Sequence, residues 1–140
     1  MYLKALSIII IQKSRNELRR LLIGLLEERG RDADLNDIDT SGIIDMEAMF
    51  SSLDPHNIDI SEWDVSKVKN MQGMFCECEN FNSDLSAWDV SNVEDMYSMF
   101  YGCKKFNCDL SSWNISSITD TEDMFKGCTS LKNKPSWYNK

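Results

Sequence analysis

The stretch "DLSAWDVSNVEDMYSMFYGC", residues 84–103, decides the fold: the 20 residues that begin 25 positions earlier, "DISEWDVSKVKNMQGMFCEC" (59–78), are identical to it at 11 positions. Outward from this pair, "DLSSWNISSITDTEDMFKGC" occupies 109–128, and a looser copy, "DLNDIDTSGIIDMEAMFSSL", occupies 34–53. Four copies at a 25-residue step define a repeat chain. In such a chain one unit cannot bury its own apolar face, so stacked neighbours build a shared core and altered end units close it. Function is then expected on a surface, not in a pocket.

Aligned copies expose the interior as columns. Leu35, Ile60, Leu85 and Leu110 coincide, as do Ile38, Trp63, Trp88 and Trp113; Thr40, Val65, Val90 and Ile115; and Ile43, Val68, Val93 and Ile118. "WDV" alternates apolar and polar as a short strand does, and the same strand in successive copies predicts a parallel sheet with a spacing of about 4.8 Å. Ser41, Ser66, Ser91 and Ser116 follow, where a hydroxyl can turn the chain by bonding local backbone. Met71, Met74, Phe75 and Cys78 recur at i, i+3, i+4 and i+7, the spacing of one face of a short helix. Asp45, Asn70, Asp95 and Asp120 stand where that helix wants an N-cap.

Both ends differ from the copies. Ser14 and Glu17 have capping-box spacing, Leu18, Leu21, Leu22, Leu25 and Leu26 make one apolar stripe, and Gly30 suits the residue after a helix. This predicts a helix covering the open core, with Arg15, Arg19, Arg20 and Glu27 on its polar face. Before it, the β-branched Ile8–Ile11 predict a strand, packed on the body or pairing with a second chain. After Cys128, Leu131 keeps the Phe81/Phe106 column, in which His56 also falls, and Trp137 or Tyr138 approximates the next Trp position before the pattern stops.

Charge narrows the function classes. The net charge of −8 divides into +4 over residues 1–31, −16 over 32–125 and +4 over 126–140. An acidic array repels nucleic acid, whose binding draws on Lys and Arg neutralising phosphates. The apolar run at the N-terminus is far shorter than the roughly 20 residues a membrane span needs and lacks a small-residue cleavage site. The five cysteines, an odd number without a signal peptide, predict reduced thiols and a cytoplasmic protein; a removed signal sequence would place it outside the cell or on its surface, with disulfides possible. Cys78, Cys103 and Cys128 share one inward column, where Cys behaves as a small hydrophobe.

The "DxSxWDVSxVxxMxxMFxxC" unit resembles the BspA-type leucine-rich-repeat proteins, found among bacterial surface proteins and lipoproteins and in short bacterial and phage proteins. The resemblance covers residues 14–131 and implies binding or adhesion, with no catalytic residues to carry over. The resulting expectation is a short right-handed α/β leucine-rich-repeat-like solenoid, each unit pairing a parallel strand with one short helix. It divides into an N-terminal strand and capping helix (1–33), a four-repeat solenoid (34–131) and a C-terminal cap (132–140), together one structural domain.

No catalytic constellation is visible: the chain has one histidine, no nucleophile elbow and no phosphate-binding glycine loop. The Asp34/Asp59/Asp84/Asp109 and Asp39/Asp64/Asp89 columns, the latter ended by Asn114, could hold Ca²⁺, but Asp at a turn more often bonds its own backbone. No cofactor or metal is expected, and the chain reads as a non-catalytic protein-binding module. Its partner surface is sought where the copies vary beside "WDV": Glu62, Lys67 and Lys69 of one copy, Asn92 and Glu94 of the next, with Asp64, Asp89 and Asn114 alongside. The competing expectation is a structural protein that joins copies of itself through the N-terminal strand or the basic ends, or a surface adhesin.

Overall fold

Every copy is punctuated by Asp-x-Ser, and in the computed structural model, which describes residues 14–116 and 118–138, these triads are tight turns. The Asp59 carboxylate accepts from the Ser61 N–H at 3.1 Å and the Ser61 hydroxyl at 2.7 Å; Asp64 does the same for Ser66, Asp84 for Ser86 and Asp89 for Ser91. A short polar side chain that mimics a backbone turn is why these residue types recur there. Between the triads the backbone closes further i→i+3 bonds, such as Trp63 N–H to Ile60 O, Val68 N–H to Val65 O and Met74 N–H to Met71 O. Each copy is thus one flattened coil made of turns, and the four coils stack.

This overturns the expected α/β solenoid of parallel strands and short helices. Among the described residues there is one α-helix, α1 (Arg15–Arg29), and no strand longer than an isolated bridge. The helix expected at Met71–Cys78 is absent because two residues of each coil take left-handed backbone angles: Ala48, Gly73, Ser98 and Asp123 in one column (φ 54°, 58°, 54° and 55°), and Ser52, Glu77, Gly102 and Gly127 in another (φ 67°, 62°, 74° and 82°). A right-handed helix cannot pass through such residues. The i, i+3, i+4, i+7 spacing is satisfied instead by successive turns, and alternate N–H groups reach across to the next coil. Met71, Gly73, Phe75 and Glu77 donate to the carbonyls of Asp95, Tyr97, Met99 and Tyr101. Asp45, Asn70, Asp95 and Asp120 do accept from the N–H two residues on, as caps would, but what they cap is a turn.

The strand expectation fails for a parallel reason. Trp63, Val65, Trp88 and Val90 point inward in alternation with exposed Asp64 and Asp89, yet no backbone ladder runs along "WDV". Parallel pairing is confined to single bridges, Asp34–Asp59 and Asp45–Asn70–Asp95–Asp120. At the "WDV" corner the coils are joined by side chains: the Trp63, Trp88, Trp113 and Trp137 indole N–H groups each donate, at 2.9 Å, to the Leu35, Ile60, Leu85 and Leu110 carbonyls of the coil before.

The core is a set of stacked rings. Phe50, Phe75, Phe100 and Phe125 stack at 5.2, 5.6 and 5.8 Å, Phe81 on Phe106 at 5.9 Å, and Trp63 on Trp88 at 6.5 Å. One column breaks. Ile43, Val68 and Val93 are buried, but Ile118 is 82% exposed. In the fourth coil the turn slips by one residue, Thr119 N–H bonding Ser116 O where the other coils bond the residue before, and Ile118 is turned out.

α1 closes the first coil as its stripe predicts, burying Leu18, Leu22 and Leu26. Ser14 accepts from the Glu17 N–H and Gly30 (φ 93°) bonds Leu26 O. Arg19, expected on the polar face, turns onto the stack and donates to the carbonyls of Ala48, Met49 and Ser51. Met49 and Ser51 hold the positions whose counterparts, Met99 and Tyr101, accept from the coil before, so one guanidinium stands in for a missing coil. Arg29 grips the buried Asp37 carboxylate with two bonds of 2.9 Å. The strand expected at Ile8–Ile11 lies outside the described residues. Among the described residues no helix is long and apolar enough to cross a membrane.

Candidate functional site

Asp64 sits at the centre of the lateral strip singled out by its variability. Its carboxyl is held below the ordinary carboxylate range by the Ser66 hydroxyl and then by the Ser66 N–H; Ser91 and Ser41 do the same for Asp89 and Asp39. Asp64 opposes the ionisation of both Asp39 and Asp89, and Lys67 favours that of Asp39 and Asp64. The coil stacking therefore brings Asp39, Asp64 and Asp89 into one row, with Lys67 near Asp39 and Asp64.

The remaining strip residues play different parts. Glu62, Lys67, Lys69, Asn92, Glu94 and Asn114 are exposed. Lys69 and Glu94 lie one above the other, because Lys69 N–H bonds Ile44 O and Glu94 N–H bonds Lys69 O, both at 2.8 Å. Among the described residues no ion pair occupies Glu62, Lys67, Lys69 or Glu94. Asn92 is a strut: its amide donates to Ser66 O at 2.7 Å and ties the third coil to the second. Asn114 ends the acid row without holding its serine; the Ser116 hydroxyl instead accepts from Ile118 N–H.

A second face holds Asp84 and Asp109 of the acidic column considered for Ca²⁺, together with asparagines that the sequence reading did not single out. Asn82, Asp84, Ser86, Asn107, Cys108 and Asp109 line an open groove of about 610 Å³. Asn82 Oδ1 accepts from Asn107 N–H at 2.9 Å, and Asn107 Oδ1 from Lys132 N–H at 3.4 Å, so the asparagines form a rung-by-rung clamp between coils. The signal was present as "FNSDLS" (81–86) and "FNCDLS" (106–111). Cys108 in this groove is no reactive thiolate: burial pushes its thiol up, the opposite of what a nucleophilic cysteine needs.

The inward thiols are more than small hydrophobes. Cys78, Cys103 and Cys128 donate to the carbonyls of Phe50, Phe75 and Phe100 at 3.3, 2.9 and 3.0 Å, satisfying acceptors one coil back. Burial pushes Cys78 up to about 12, Cys128 up to about 11, and Cys103 upward as well. All five cysteines are free. Among the described residues no three His, Cys, Asp or Glu side chains converge to hold a metal ion.

A family described as "Mycoplasma protein of unknown function, DUF285" matches residues 25–138, from within α1 through all four coils to Tyr138. The chain belongs to this family. No curated protein and no solved structure matches it. The DUF285 match spans the turn-built coils as a unit, in keeping with a bacterial repeat family.

Proposed function

We propose that this DUF285 chain is a non-catalytic protein-binding module whose partner lies along the lateral strip. One observation carries the reading: side chains that differ from coil to coil, Glu62, Lys67, Lys69 and Glu94, stand exposed and outside any ion pair among the described residues, on a backbone held rigid by serine-locked turns. A stiff scaffold with an irregular charged face loses little conformational freedom when a partner orders it, which favours recognition. The resemblance to BspA-type arrays points the same way, and the acid row at Asp64 and Asp89 favours a partner with basic groups facing it.

The test is affinity capture from the host followed by binding measurements with the purified partner. Charge reversal at both Glu62→Lys and Lys67→Glu is expected to weaken the complex about tenfold or more while the thermal midpoint stays within about a degree, as surface changes away from buried features do. Unchanged affinity would sink the strip as the site. A dimer or larger species by light scattering at micromolar concentration, with no partner captured, would favour self-assembly instead.

A further inference from the structure

Two consecutive coil junctions, Asn82-Ser83-Asp84 and Asn107-Cys108-Asp109, wall the open groove of about 610 Å³. The polar side chains there are each anchored through one atom. Asp84 Oδ1 accepts from the Ser86 N–H at 3.0 Å and the Ser86 hydroxyl at 2.7 Å, and Asp109 Oδ1 accepts from the Ser111 N–H at 2.9 Å. Asn82 and Asn107 also accept through Oδ1, from the Asn107 and Lys132 N–H groups. The atoms left over differ in kind. Among the described residues Asp84 Oδ2 receives no hydrogen bond, and the Asn82 and Asn107 Nδ2 amides donate none. Cys108 Sγ lies 3.8 Å from Asp84 Oδ1, so the free acceptor of Asp84 and the free donor of the adjacent Asn107 share one patch.

This mixture restricts the ligand. A cation satisfies the aspartates but faces the amide donors, and an anion does the reverse. Charges of both signs meet where a hollow of about 330 Å³ continues the groove from Asn107 and Asp109 to Lys134. An apolar ligand finds no apolar wall, because Asn, Asp, Ser and Cys alone line the larger hollow. A hydroxyl both donates and accepts, so neighbouring hydroxyls of one ring can give to Asp84 Oδ2 and take from Asn107 Nδ2. An extended peptide also does both, but its edge repeats every two residues, about 6.6 Å. The coils step by 5.2, 5.6 and 5.8 Å down the Phe stack, close to the repeat of sugar rings joined end to end.

We propose that this groove binds a neutral, extended oligosaccharide, one sugar ring to each coil junction, with Asp84 accepting from and Asn107 donating to hydroxyls of the same ring. Ser86 fixes Asp84 and the next coil fixes Asn107 before any ligand arrives, so little ordering cost opposes these bonds. The site uses other residues than the lateral strip and does not rest on it.

Cys108, half-buried in the groove wall, is a built-in reporter, and half-buried Cys76, which lines no part of the groove, is the control. The full chain is alkylated with iodoacetamide in the presence and absence of cellohexaose, mannohexaose or maltohexaose at about 10 mM, a concentration suited to weak ligands held by hydroxyl contacts. Both cysteines are followed by peptide mass spectrometry. At least one hexasaccharide is expected to slow Cys108 about threefold or more and to leave Cys76 unchanged. Asp84→Asn keeps the Oδ1 acceptor for Ser86 and turns Oδ2 into a donor; Asn107→Asp keeps the acceptor for the Lys132 N–H and turns Nδ2 into an acceptor. Both variants should remain folded by thermal melting and lose the protection, whereas the Glu62→Lys, Lys67→Glu variant should keep it. Three results would overturn the proposal: no slowing of Cys108 in the parent by any of the three sugars, slowing that survives both groove substitutions, or equal slowing by Ca²⁺ or spermidine, which assigns the groove to a cation.

Discussion

Trp88 shows how much one position carries. Its ring stacks on Trp63 and its indole N–H satisfies Ile60 O within the core. Truncation to alanine removes both and leaves a void, so Trp88→Ala is expected to cost about 3–5 kcal/mol. Trp88→Phe keeps a ring but strands the carbonyl, at about 1–3 kcal/mol. Chemical denaturation of both variants checks the split; equal stability of Trp88→Phe and the parent would remove the indole bond from the account. The thiols give a second residue-scale test. Buried and bonded Cys78, Cys103 and Cys128 should stay unmodified in a native thiol titration while half-buried Cys76 and Cys108 react slowly, and denaturation without reductant should release five thiols. A count of three or fewer would establish disulfides.

At the scale of the element, the segment Met96–Cys103 separates the two readings of its apolar spacing. Were it a helix, Ser98→Gly would destabilise by about 0.5 kcal/mol, the difference in helix propensity. Ser98 lies at φ 54°, in the column where the second coil already has Gly73. Glycine relieves the left-handed penalty there, so Ser98→Gly is expected to be neutral or to stabilise by up to about 1 kcal/mol. Loss of stability on thermal melting would contradict the turn. Gly127 is constrained as well: at φ 82°, a Cβ on it would meet the Gly102 backbone of the coil before at 3.2 Å.

For the whole molecule, the repeated Asp-x-Ser locks couple stability to pH. Asp39, Asp64, Asp84 and Asp89 are lowered in the folded chain chiefly by their serine hydroxyls, and Asp109 by the Ser111 N–H; for Asp39, Asp84 and Asp89 this outweighs the Asp–Asp repulsion that acts in the other direction. A carboxylate lowered on folding stabilises above its unfolded value, about 3.9, and that contribution is lost as pH falls through the lower folded value. The thermal midpoint should therefore be level between about pH 5 and 7 and decline steadily below about pH 4. Calorimetry across this range checks it, and a midpoint that rose on acidification would show that repulsion among the acid rows dominates.

What the sequence determined by itself was everything that depends on repetition. The 25-residue step, the inward columns of Trp, Phe, Met and Cys, the turn role of Asp-x-Ser and the capping helix with Gly30 after it all follow from residue type and spacing. Secondary structure did not follow. An apolar pattern at i, i+3, i+4 and i+7 states which side chains face inward, and both a helix and a run of turns meet it; only the neighbouring coil, which takes every second N–H, makes left-handed angles at Ser98 and Glu77 worth their local cost. Tertiary contacts likewise decided that Arg19 turns inward, that Asn92 is a strut, and that Ile118 leaves its column. The first two depend on which carbonyls of a neighbouring coil need a donor, and that is a property of the stack and not of any single repeat.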